Sequence, residues 1–172
     1  MQIRINFISK VGFLFLFCLP FLAYGQVSEK HVTKISRYME KFRCYSDSLI
    51  VSMEIADWRD MEILNALTDL THQAYLHSFY ISGMLDNLTR IEDKSERASA
   101  MVRTTFYIKA AIQLMKITNK AISTELHLTT NRTVTEIGTK LKKDAEKFTG
   151  ELETVRNDLE YDYTYNVEAS KN

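Results

Sequence analysis

Four polar side chains, Ser46, His77, Asn119 and Asp144, lie in or beside long apolar repeats, and they are the residues best placed for chemistry. Histidine and aspartate transfer protons and bind metals. If the repeats form helices of similar length that run in alternate directions, the four side chains fall within ~10 Å along one axis. We therefore predict a buried polar layer. We favour a role in fixing the register of the helices, because buried polar groups usually satisfy one another structurally.

The ligand patterns of common metal and haem bundles are missing from this sequence. Di-iron bundles use Glu-x-x-His on two helices, and no such motif occurs. His72 and His77 are five residues apart and therefore point in different directions on a helix. Covalent haem needs Cys-x-x-Cys-His, whereas Cys44 is the only cysteine outside the first 25 residues. We expect neither a metal nor a cofactor.

No residue pattern points to an enzyme. The sequence lacks Gly-x-Ser-x-Gly, a phosphate-binding loop and a glycine-rich turn for an oxyanion hole. We therefore expect no catalytic residues. The alternative hypothesis is a small bundle that carries a cofactor, a metal or a ligand, with Met39 and His77 as axial ligands of noncovalent haem. Methionines at helical spacing are more often core residues.

The elements that position these side chains are helices. Pro20 is the only proline, and three glycines remain after residue 25; proline breaks helices and glycine weakens them. Apolar residues recur in steps of three and four, a period typical of helices that pack against one another. The pattern predicts four helices, at 28–56, 57–91, 94–128 and 133–163, with seams that run through Val32 to Ala56, Ile63 to Ile91, Ala98 to Leu126 and Val134 to Leu159.

We predict an all-α fold, an antiparallel four-helix bundle with coiled-coil-like seams. The alternative is an elongated hairpin in which the first two helices are merged, because the repeat keeps its phase between Ala56 and Ile63. Ser28 is predicted to cap the first helix, and Thr133 with Glu136 to form a capping box before the fourth. Asp57 and Asp93 mark the starts of the second and third helices.

The first 25 residues have the form of a cleavable signal peptide. Arg4 and Lys10 precede an apolar run, and Ala23-Tyr24-Gly25 places small residues before a cleavage site. We predict export to a periplasmic or extracellular compartment, with no stable membrane anchor after cleavage. Residues 26–165 form one helical domain and residues 166–172 a flexible tail. Without the signal peptide the chain has 20 basic and 22 acidic residues. Because it has no excess of positive charge, we expect no nucleic-acid partner.

Two groups of aromatic residues are candidates for partner contacts. Tyr161, Tyr163 and Tyr165 alternate with polar residues near the C-terminus, and tyrosine is favoured at protein interfaces. The other group is expected to fill the middle of the bundle, or else to form a contact patch; it consists of Tyr75, Phe79, Tyr80, Phe106 and Tyr107.

We expect Cys44 to be a small buried hydrophobic residue, with an intermolecular disulfide as the other option. The sequence as a whole predicts an exported, non-enzymatic protein with a protein partner, and a homo-oligomer is a further expectation. Suitable roles are an envelope adaptor, an accessory subunit of a secretion or conjugation apparatus, and a toxin-neutralising protein.

Overall fold

Four helices make up the computed structural model, which describes residues 26–169, with side chains described from 29 to 164. They are α1 (Gln26–Met53), α2 (Trp58–Arg90), α3 (Lys94–Leu128) and α4 (Arg132–Ala169). The predicted signal peptide lies outside the described residues. Each predicted helix is present, and the break at 54–57 separates α1 from α2, so the four-helix prediction is confirmed over the merged hairpin.

Carboxylate caps explain where α2 and α3 begin. The side chain of Asp57 accepts hydrogen bonds from the backbone N–H groups of Arg59 and Asp60, and that of Asp93 accepts one from Glu96. These bonds satisfy N–H groups that have no partner within the helix. The expectations for Asp57 and Asp93 are therefore confirmed.

The other two predicted caps were wrong. Ser28 lies inside α1, because Gln26 and Val27 before it are already helical. At the start of α4 the cap is Asn131, whose Oδ1 accepts from the N–H groups of Thr133 (2.9 Å) and Val134 (3.3 Å). Thr133 is exposed one residue inside the helix. Asn131 is held in place because its amide nitrogen also donates to Asp60 on α2, at 2.6 Å.

The helices form an antiparallel bundle, because connections of three or four residues reverse the chain each time. α1 packs beside α2 and α4, and α3 also packs beside α2 and α4. α2 and α4 meet across the centre, whereas α1 and α3 make no contact within the described residues. The first and last of the described helices are therefore neighbours.

Aromatic residues fill the core between α1 and α4. Phe42 and Phe148 are fully buried and meet edge to face, with ring centroids 5.5 Å apart. Tyr38 covers Phe148 at a centroid distance of 5.4 Å. Such pairs add attraction beyond the burial of their area.

Gly138 allows a close approach of α4 to α3 just after the connection between them. A Cβ atom at this position would collide with the side chain of Leu126. A larger residue here would therefore require the end of the Leu126 side chain to shift.

The buried face of α2 is rotated slightly from the predicted seam. At its centre the predicted seam of three- and four-residue steps from Ile63 passes through Leu70 and His77, whereas Thr71 and Ser78 are the buried residues there. The buried positions of α2 are Ile63, Leu64, Leu67, Thr71, Ala74, Ser78, Ile81, Leu85 and Leu88. The Thr71 hydroxyl donates to the carbonyl of Leu67, and the Ser78 hydroxyl to that of Tyr75. Since both hydroxyls are satisfied within the helix, they are buried without an unpaired polar group.

A pair of phenylalanines tests which positions stabilise the bundle. Phe148→Ala removes a fully buried ring, and we expect it to lower the free energy of unfolding by about 3–5 kcal/mol. Phe106→Ala removes a ring that is 76% exposed, and we expect a change within about 0.5 kcal/mol. Urea denaturation followed by circular dichroism measures both; equal losses would contradict the assigned core.

The cap of α4 is tested by a second pair. Asn131→Ala removes the bonds to two backbone N–H groups and should cost about 1–2 kcal/mol of unfolding free energy. Thr133→Ala should change it by less than about 0.5 kcal/mol, because Thr133 is exposed inside the helix. Thermal denaturation of the two variants compares them; a larger loss for Thr133→Ala would restore the capping box predicted from the sequence.

Candidate protein-binding surface

Asp144 is the most strongly engaged of the four predicted polar residues. It lies buried on α4 and accepts hydrogen bonds from Lys41 Nζ (2.9 Å) and the Tyr45 hydroxyl (2.7 Å), both on α1. Burial raises the pKa of its carboxyl, but the hydrogen bonds from Lys41 and Tyr45 and the charge of Lys41 outweigh burial, so the pKa is lowered below its ordinary value. Asp144 therefore stabilises the α1–α4 contact as an anion.

Two more carboxylates continue this contact at seven-residue intervals along α4. Glu151 accepts from Lys34 Nζ at 2.9 Å, and Asp158 Oδ2 lies 3.0 Å from Nε2 of the buried His31. We call the three carboxylates and their α1 partners the polar ladder; its members are His31, Lys34, Lys41, Tyr45, Asp144, Glu151 and Asp158. A seven-residue spacing keeps one side of a helix facing its neighbour, so the ladder fixes the register of α1 on α4.

Of the other three predicted residues, His77 and Asn119 have partners separate from those of Asp144. His77 is half-buried, with Nδ1 3.3 Å from the Tyr107 hydroxyl, and burial lowers its pKa. Asn119 donates to Thr149 Oγ1 at 3.2 Å, and its own buried carbonyl oxygen has no partner among the described residues. Ser46 is partly buried. No hydrogen bond between described side chains joins one of the four to another, and the layer itself stays a prediction.

The sequence analysis missed the polar ladder. Its signal was present: Lys34 and Lys41 are seven residues apart, as are Asp144, Glu151 and Asp158. These residues flank the apolar seams, where charged side chains are usually solvated. Only the proximity of α1 to α4 brings the two charged rows together.

Neither metal-binding nor membrane-spanning elements were found in the described part of the chain. No group of three or more His, Cys, Asp or Glu side chains there is arranged to hold a metal ion. None of the helices is long and apolar enough to cross a bilayer.

The C-terminal tyrosines are on a helix, since α4 continues to Ala169, six residues beyond the predicted end. Tyr161 is 68% exposed and Tyr163 is 37% exposed; the side chain of Tyr165 lies outside the described ones. Residues two apart on a helix point in different directions, so Tyr161 and Tyr163 do not form one row. Their role as partner contacts stays a prediction.

Three of the five residues in the predicted aromatic group of α2 and α3 are exposed rather than part of the core. Phe79, Tyr80 and Phe106 lie on the outside, whereas Tyr75 and Tyr107 are partly buried. Phe79 and Tyr80 meet edge to face, with centroids 5.6 Å apart, and Tyr80 in turn contacts Tyr107 on α3. The expectation that this group fills the middle of the bundle was therefore wrong for its exposed members.

A second apolar stripe runs along the outside of α3, and we call it the α3 outer band. Its members are Val102, Phe106, Ala110, Leu114 and Ile117, all exposed. At 100° per residue they cover an arc of about 120°, as wide as the stripe that a surface helix usually turns toward a core. Phe106 is 76% and Ile117 66% exposed. α3 therefore has one apolar face in the core and another in solvent.

A smaller apolar cluster lies at the end of the bundle where α1 turns into α2. It consists of Ile50, Val51, Ile55 and Trp58, all exposed. The Arg59 guanidinium lies over the Trp58 ring, 5.4 Å from its centroid. Glu54, Asp57 and Asp60 give the same turn an acidic character.

Cys44 is exposed on α1. The expectation of a small buried hydrophobic residue was therefore wrong, because Cys44 follows Phe42 by two positions and so leaves the face that Phe42 buries.

Comparison with known proteins gave no match: no protein-family model, no curated protein and no solved structure is significantly similar to this chain.

The polar ladder predicts how stability depends on pH. Because Asp144 has a lowered pKa in the folded protein, its contribution is complete above the ordinary value of 3.8 and is lost as the pH falls through the folded value. We expect Asp144→Asn to lower the unfolding free energy by about 1–2 kcal/mol at neutral pH. The difference from the native protein should shrink below about pH 4.

Urea denaturation between neutral and acidic pH measures this difference. The matched control is Asp69→Asn, which removes an exposed carboxylate of α2 and should change stability by less than about 0.5 kcal/mol. An Asp144→Asn loss that stays constant into strong acid would contradict an anionic role for Asp144.

Proposed function

We propose that this protein is exported, lacks enzymatic activity and acts by binding another protein. The observation that carries the proposal is the α3 outer band, a stripe of five exposed apolar side chains along one helix. Monomeric proteins rarely expose large contiguous apolar patches, and those that do usually bind a partner there. The band is well formed for contact because it lies on a rigid helix whose opposite face is anchored in the core by Ile108, Ile112 and Met115.

The positions of the polar groups support a role in protein binding rather than in catalysis. The charged residues of the polar ladder hold α1 to α4 and are engaged with one another. His77 is paired with Tyr107 at the α2–α3 contact. The outer surfaces of α2 and α3, by contrast, offer exposed aromatic and aliphatic side chains, which are frequent in protein interfaces.

The leader supports action outside the cytosol. Its basic start, apolar run and small residues before Gln26 fit a cleavable export signal. A compact helical module in such a compartment suits an envelope adaptor, an accessory subunit of a secretion or conjugation apparatus, or a protein that neutralises an exported toxin.

Site-specific photo-crosslinking in the native host tests the proposal. The photoreactive residue p-benzoylphenylalanine replaces Phe106 or Ile117 in the full-length protein, and irradiated cells are examined for covalent adducts by mass spectrometry. We expect both positions to give an adduct with the same protein. Arg43 on α1, which is also exposed, is the control position and should give none.

Further positions separate a wrong surface from a wrong function. The same residue is introduced at Trp58 and Tyr161, which are exposed elsewhere on the molecule. An adduct at only one of these two positions would assign the binding surface to that position instead of the α3 outer band. Absence of a protein adduct at all of them, with the protein correctly exported, would overturn the proposed function.

A further inference from the structure

The charges along the α3 outer band are of one sign. No acidic residue occurs from Arg97 to Thr124, while this stretch contains five basic residues. Lys109 and Lys116 pair with Glu160 and Glu153 on α4, at 2.7 and 2.9 Å. Arg103 and Lys120 are exposed and have no ion pair within the described residues. The band is therefore apolar with unneutralised positive charge.

The two free cations lie within the arc of the band, near its opposite edges and at its opposite ends. At 100° per residue, Arg103 is about 60° from Phe106 on the side where Tyr107 meets α2. Lys120 is about 40° from Phe106 on the side where Lys116 meets α4. Carboxylates on the two flanks of a helix packed against the band can therefore reach one cation each, as charged residues beside a coiled-coil seam reach their partners.

A second copy of this chain is a poor occupant of the band. Two bands facing each other bring two arginines and two lysines to one seam, and the band supplies no carboxylate to offset them. Like charges across an interface oppose association. Glu153 and Glu160 of α4 are not available to the second copy either, because they already form ion pairs with Lys116 and Lys109 of α3.

A lipid surface is also disfavoured. Arg103 and Lys120 are the free cations of the band, and each basic residue adds only about 1 kcal/mol of attraction to an anionic bilayer. Stable attachment of a helix face needs more basic residues or a lipid chain. The polar side chains of Ser99, Gln113 and Thr124 also lie on the outward side of α3.

We infer that the α3 outer band binds an amphipathic helix of a partner protein, with acidic residues on both flanks of that helix's apolar stripe. This inference rests on the proposed function and adds the chemistry of the partner. From Val102 to Ile117 the band is about 22 Å long, which matches a partner helix of about four turns. Apolar residues at three- and four-residue spacing on that helix pack against the band, and its carboxylates pair with Arg103 and Lys120.

Two synthetic peptides of about 18 residues serve as probes. Both have leucines at the a and d positions of a heptad; one has Glu and the other Lys at the e and g positions. Fluorescence anisotropy with the processed protein measures their dissociation constants. We expect the Glu peptide to bind at least about tenfold more tightly than the Lys peptide, since only the Glu peptide complements the cations.

Charge reversal gives the decisive comparison. In the double variant Arg103→Glu with Lys120→Glu, the preference should invert, so that the Lys peptide binds more tightly. Phe106→Glu with Ile117→Glu should weaken both peptides by about tenfold or more, because it places charge within the apolar band. Ser48→Glu, at an exposed position of α1 away from α3, is the control and should leave both constants unchanged. Circular dichroism confirms that each variant is folded.

Several results would overturn the inference without touching the proposed function. Equal affinities for both peptides, or a preference that charge reversal does not change, would remove the acidic helix as the occupant. Dimerisation in sedimentation experiments that Phe106→Glu abolishes would assign the band to a second copy. Binding to vesicles of phosphatidylglycerol in phosphatidylcholine, with no binding of either peptide, would assign it to a lipid surface. The photo-crosslinking experiment tests the proposed function independently.

Discussion

The removal of apolar helix faces from water is the interaction on which this structure depends. Each buried leucine or isoleucine contributes about 1.5–3 kcal/mol relative to exposure, and such residues line all four helices from Ile35 to Leu159. No disulfide is available to the described chain, where Cys44 is free. Packing alone must therefore offset the loss of chain entropy. The polar ladder makes this packing specific, because its hydrogen bonds and ion pairs form in one register of α1 on α4.

Apolar periodicity predicted the helices well because it is a property of each helix by itself. The ends of α3 were predicted at residues 94 and 128 and are found there. The buried face of α2 was less predictable, since hydropathy alone disfavours burial of Thr71 and Ser78. Both hydroxyls donate to carbonyls of their own helix. The structure shows these hydrogen bonds, whereas the hydropathy of the sequence does not. The cap at Asn131 was missed for a similar reason, because it depends on the contact with Asp60 of α2.

The candidate surface was predicted only in part. Phe106 was recognised as lying outside the regular seams, but its exposure could not be derived, because the middle of a bundle also accepts large rings. The α3 outer band became apparent once the inward face of α3 was known. The sequence predicted the inward seam of α3, but it did not show whether a second apolar stripe on the same helix would be covered. Its outward side is identified by what α2 and α4 leave uncovered, with Phe106 and Ile117 as its most exposed members.

The position of α1 between α2 and α4 has a consequence for biosynthesis. The groups that hold α1 to α4 are far apart in the chain, with separations of 103 residues for Lys41 and Asp144 and 127 for His31 and Asp158. A ribosome releases α1 first and α4 last. The nascent protein can form its first helical hairpin early, but it lacks the carboxylates that hold α1 until α4 has been synthesised. Closure of the bundle therefore follows the synthesis of α4, and a nascent chain that stops short of α4 cannot form the polar ladder.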